Sequence, residues 1–106
     1  MRRLSHIQNK NNFSMSLRKV RKALHISQES FGLISSRTYV SSLERALKTP
    51  TLGKVDELAA VLGVHPLTLL ALAYTEQQEP KKVCALLLLI TKEIESVFSS
   101  AEIESG

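Results

Sequence analysis

Cysteine appears once in this 106-residue chain, prolines number three, and the four glycines never cluster. A lone Cys84 excludes an internal disulfide and suits a reducing cytoplasm, where the protein is expected. Without a glycine-rich loop there is no cradle for nucleotide phosphates. The longest apolar run, Val83–Ile90, has eight residues against the roughly 20 that a membrane-spanning helix needs. Arg2 and Arg3 are not followed by an apolar stretch, so the start of the chain does not read as a secretory signal. His6, His25 and His65 lack metal-ligand spacing, and no acid pair or nucleophile motif is present. No enzyme, cofactor or metal site is therefore expected. The length leaves room for one core with an added helix or tail.

What the chain does have is polarised charge. Residues 1–54 hold eleven lysines and arginines against Glu29 and Glu44, a balance of +9. The remaining residues hold three lysines and eight acids, a balance of −5. Such a division suits one half to a polyanion and the other to a different partner.

The hydrophobic pattern is helical throughout. Residues 1–13 have no apolar period and read as a flexible arm extending to about residue 15, and Met15 is an alternative start. Leu17, Val20 and Leu24 then mark a first helix, capped by Ser14 or Ser16 and ending before His25, a turn residue. Ser27 caps a short second helix from Gln28 to about Phe31 or Gly32, and Ser35 or Ser36 opens a third with Val40 and Leu43 inward. Thr51 caps a fourth helix carrying Leu52, Val55, Leu58, Ala59 and Leu62, closed by Gly63. His65 caps a fifth that begins at Pro66 and turns Leu67, Leu70 and Tyr74 inward. After the polar linker Thr75–Pro80 comes a longer helix, about Lys81 to Ser99. The expected fold is all-α: a five-helix domain over residues 16–75, then a linker and an additional C-terminal helix over residues 76–106.

Several segments in order carry a family resemblance. Leu17-Arg18-Lys19-Val20-Arg21-Lys22, Ser27-Gln28-Glu29, Tyr39-Val40-Ser41-Ser42-Leu43-Glu44-Arg45 and Leu58-Ala59-Ala60-Val61-Leu62-Gly63-Val64 together resemble the Cro/repressor-type, or XRE-like, helix-turn-helix regulators of bacteria and phages. The likeness runs from Leu17 to Tyr74. It implies a repressor-like DNA-binding domain whose third helix enters the major groove of double-stranded DNA. Arg37, Thr38, Ser41 and Ser42 are then the base-reading residues, with Arg37 suited to a bidentate guanine contact. Gln28, Ser36, Arg45 and Lys48 are implied phosphate contacts, which set register without reading sequence. Arg21 and Glu44 match a pair that holds the first helix on the third. The arm residues Arg2, Arg3 and Lys10 reach toward a minor groove or further phosphates. Two departures stand out. The interval from Gln28 to Tyr39 is shorter than usual, so the second helix or its turn must be truncated. Ala46 replaces a frequent glycine, which lets the third helix run toward Leu47.

The C-terminal helix carries Val83, Leu86, Leu87, Ile90, Ile94 and Val97 at intervals that make one apolar face, read as a homodimer interface. Packing back on its own domain is the alternative. Cys84 reads as a small core residue of that face. Glu93, Glu95, Glu102 and Glu104 keep this end from DNA, whereas Lys81 and Lys82 oppose the helix dipole. These features together suggest a transcriptional repressor on a near-palindromic operator. The alternatives are an antitoxin that regulates its own operon while capping a toxin, and a protein-interaction module that ignores DNA.

Overall fold

The computed structural model describes residues 11–75 and 79–105, with side chains as far as residue 100. The expected arm at Arg2, Arg3 and Lys10, and the centre of the linker, lie outside the described residues. All regular structure among the described residues is helical: α1 (Phe13–Ala23), a single 3-10 turn (Gln28–Phe31), α2 (Arg37–Glu44), α3 (Leu52–Leu62), α4 (Pro66–Ala73) and α5 (Pro80–Ser105). The chain divides after Tyr74 into two units, the first holding α1–α4 and the second α5. In the first, α1 packs on α2 and α4, while α3 packs on α4 and the 3-10 turn. Leu17, Phe31, Val40, Leu43, Leu58 and Leu69 are at most 1% exposed and form the centre of the core.

α1 starts three residues earlier than its pattern suggests, and Asn12 rather than Ser14 or Ser16 caps it by accepting from Met15 N–H. Phe13, assigned to the arm on sequence grounds, is buried core. It stands one turn before Leu17, so the apolar stripe is Phe13, Leu17, Val20. Asn12 N–H also donates to Ala73 C=O at 2.7 Å, and Asn11 Nδ2 to the Tyr74 hydroxyl at 3.3 Å, tying the entry of α1 to the end of α4. Ser16 is fully buried, and its hydroxyl donates to Leu69 C=O at 2.7 Å. Burying that hydroxyl is tolerable because it is paired. Leu24, expected on the inner stripe, lies past the helix end and is exposed.

Thr51 and His65 cap α3 and α4 as expected, through Lys54 N–H (3.1 Å) and Leu67 N–H (3.0 Å). The inner face of α4, however, is Leu69 and Ala73, with Leu70 half-buried and both Leu67 and Tyr74 exposed. Every residue of Pro66–Ala73 except Thr68 is apolar, so spacing alone cannot select a face. Leu52, at the start of α3, is likewise exposed.

α1, α2 and α3 end in the same way, with one residue in the left-handed region and a pair of reversed hydrogen bonds that satisfy the last carbonyls. At α3 the residue is Gly63 (φ 75), where a side chain would be strained. At α1 it is His25 (φ 58), with Ile26 N–H donating to Arg21 C=O at 3.0 Å. At α2 it is Ala46 (φ 62), with Leu47 N–H donating to Ser42 C=O at 2.9 Å and Ala46 N–H to Leu43 C=O at 3.1 Å. α2 therefore stops at Glu44 and does not run toward Leu47, even though alanine occupies the glycine position. Ala46 bears the steric cost of that conformation, so Ala46→Gly is expected to stabilise the domain by about 1 kcal/mol. Thermal denaturation should show a midpoint raised by about 4–8 °C.

Candidate nucleic-acid interface

The 3-10 turn and α2 form the candidate reading edge. Gln28–Phe31 is only four residues long, the truncation that the shortened interval requires. Phe31 is completely buried and anchors it, while Ser27 faces Ser30 (Oγ to Oγ, 3.3 Å) and makes no cap. Ser36 caps α2, its hydroxyl oxygen accepting from Tyr39 N–H at 3.0 Å. With Val40 and Leu43 inward, Arg37, Thr38 and Arg45 are exposed and Ser41 is half-exposed. At about 100° per residue these four share one arc of the helix. Ser42 does not belong to it. One step beyond Ser41 it is only 7% exposed, which corrects its assignment as a base contact.

The C-terminal end of α2 is fixed by a buried carboxylate. Glu44 receives Arg21 Nε on Oε2 at 2.5 Å and Arg21 Nη2 on Oε1 at 2.9 Å, a two-pronged pair between α1 and α2. The side chains are 12% and 3% exposed. Gln28 Nε2 donates to the same Oε1 at 3.0 Å, and Arg18 Nη2 to the Glu44 backbone C=O at 3.1 Å. Arg21 Nη1 caps Ile26 C=O at 3.0 Å. Burial pushes the Glu44 carboxyl up. The bonds from Arg21 and Gln28 and the charges of Arg21 and Arg18 outweigh it, holding the group below the usual glutamate value. Donating to Glu44 in turn raises the Arg21 guanidinium above its ordinary value. The half-buried Gln28, expected on a phosphate, has its amide nitrogen engaged in this network. Arg18 also serves it.

Beyond that network the edge is cationic. Arg37 Nη1 lies 3.3 Å from Glu29 Oε2, with both side chains about 70% exposed, an ion pair worth at most about 1 kcal/mol and easily exchanged for another anion. Lys48 and Lys54 flank the half-buried Tyr39 ring, their ammonium groups 5.5 and 5.6 Å from its centroid. Lys54 Nζ also donates to Ile34 C=O at 2.8 Å and pairs with Glu57. Sequence reasoning singled out Lys48 but missed Tyr39 and Lys54. Their juxtaposition depends on α3 returning beside the loop at Ile34, and no local spacing announces that.

In the second unit, α5 spans 26 residues, reaching past the expected end at Ser99. Val83 and Leu86 are half-buried, whereas Leu87, Ile90, Ile94 and Val97 are exposed. Cys84 is exposed too, not a core residue. Among the described residues no single helix is long and apolar enough to cross a membrane.

A comparison with known families matches residues 17–69, half of the chain, to a helix-turn-helix family of the XRE type. Comparisons with curated proteins and with solved structures returned no match. The matched segment begins and ends on fully buried residues, Leu17 and Leu69, and contains the turn, α2 and the Arg21–Glu44 pair. A capped helix with a polar, cationic edge, held by its buried side on a helical scaffold, is what that family presents to DNA; this chain belongs to the XRE-like helix-turn-helix family of DNA-binding regulators.

Proposed function

We propose that the protein is a sequence-specific repressor that occupies a near-palindromic operator as a homodimer, with α2 in the major groove. The supporting observation is the shared arc of exposed Arg37 and Thr38 and half-exposed Ser41 on a helix whose C-terminal end is held to α1 by the Glu44–Arg21 pair. Arg37 reads a guanine through two parallel donors, Thr38 offers a methyl or hydroxyl to a neighbouring base, and Ser41 follows at close approach. Ser36, Arg45 and Lys48 hold phosphates. Two such units meet half-sites about 10 base pairs apart.

Binding to an operator selected from random DNA, at two salt concentrations, tests this. Arg37→Ala should lose about 1–3 kcal/mol on the selected site and almost nothing on unrelated DNA. Lys48→Ala should weaken both alike and lower the salt slope by about one. Equal loss by both variants on both DNAs would remove the base-reading role of Arg37. No binding to any DNA at low salt would leave the protein-interaction reading, and a co-purifying toxin the antitoxin one.

A further inference from the structure

The charges of α5 run opposite to what a solitary helix favours. Its lysines, Lys81, Lys82 and Lys92, all precede its glutamates, Glu93, Glu95, Glu102 and Glu104. A helix macrodipole is stabilised by acids at the N-terminus and bases at the C-terminus, so both ends of α5 are mismatched. Along the same helix Val83, Leu87, Ile90, Ile94, Val97 and Ala101 alternate at steps of four and three, the spacing of a two-helix seam. Four of these, Leu87, Ile90, Ile94 and Val97, are exposed.

We infer that α5 pairs with α5 of a second copy in antiparallel orientation. This rests on the homodimer reading above and fixes its geometry. The seam is symmetric about position 92. Ile90 meets Ile94 of the other copy, and Leu87 meets Val97. Lys92 falls on the opposite side of the helix from the seam, so the two central lysines face outward. Position 82 faces position 102, which brings the lysine-bearing turn of each copy to the glutamate-bearing turn of the other. The two macrodipoles then oppose and the mismatched ends compensate each other. A parallel pair would instead stack lysine on lysine and glutamate on glutamate. The antiparallel pair also sets a span. The chain enters α5 from its DNA-binding unit at Pro80, and the two points of entry lie about 36 Å apart along the pair.

Cys84 is the chain's single cysteine and is exposed, so it takes one spin label per copy. The full chain should have twice the 11.8 kDa monomer mass in solution, with labels about 25 Å apart, against less than about 15 Å for a parallel pair. Lys81→Glu with Lys82→Glu should weaken dimerisation about tenfold at low salt, and adding Glu102→Lys with Glu104→Lys should restore it. A chain that stays monomeric at high concentration overturns both the pairing and the homodimer. A dimer with a short label distance, or one indifferent to the first charge reversal, overturns the orientation and leaves the homodimer standing. An antiparallel dimer that ignores DNA overturns the DNA reading and supports the pairing.

Discussion

Replacing Glu44 by alanine is expected to cost about 3–5 kcal/mol of folding stability, a large part of what a domain of this size possesses. The reason is less the loss of the pair than what it leaves behind. Arg21, whose side chain is 12% exposed, would keep its charge without a carboxylate, and Gln28 would lose its acceptor. The two-pronged geometry makes both carboxylate oxygens partners of the guanidinium. If stranded charge is the cause, Arg21→Met combined with Glu44→Leu should be more stable than Glu44→Ala alone, because the pair is then removed together. Chemical denaturation of the three variants decides this. A loss below about 1 kcal/mol for Glu44→Ala would mean the pair behaves as a surface one.

The same carboxylate gives a pH signature. Its pKa is depressed in the folded state, so the folded form holds the charged group more tightly than the unfolded chain does. The stabilisation is complete above the unfolded glutamate pKa and disappears as pH falls through the lower folded value. Wild-type stability should therefore decline across that acidic window, and the Glu44→Ala profile should be flatter there.

The second large effect concerns the entry of α1. Phe13→Ala is expected to cost about 3–5 kcal/mol, since it empties a core position at the end of the stripe. Removing Asn12 adds the loss of the cap, about 1 kcal/mol. A chain begun at Met15 lacks both, along with the Asn12 N–H bond to Ala73 C=O. Its helical signal should melt well below the full chain's, or be reduced already at room temperature. Phe13→Leu, which refills most of the volume, should recover more than half of the single-variant loss. A Met15 start that leaves the midpoint unchanged would remove Phe13 from the core.

Much of the fold was legible because helix ends leave chemical marks. Thr51, Ser36, His65 and Gly63 each stand where a cap or a left-handed residue was read from sequence. Val40, Leu43, Val55, Leu58 and Leu62 are buried as their spacing requires. The failures share one cause: local pattern is silent about what packs across. Phe13 sits in a polar stretch, yet it is buried in the core of the first unit, where its helix packs on α2 and α4. The almost uniformly apolar α4 offers two faces of equal merit. Within the candidate site, Arg37, Thr38, Ser41 and Arg45 lie on the accessible arc, whereas Ser42 is buried and the Gln28 amide is engaged by Glu44. Both are drawn inward by the packing around α2 and the Glu44 network, a three-dimensional demand that residue type alone does not announce.

His25 and Ala46 occupy backbone positions made for glycine, and neither is among the residues proposed to meet DNA. The domain therefore folds with attainable stability unclaimed at two sites. For a regulator this bears on lifetime, because proteases sample the transiently opened chain and a change of one to two kcal/mol alters its abundance about several-fold. Substitutions at these two helix ends would set how long each molecule persists, without touching the residues proposed to meet DNA.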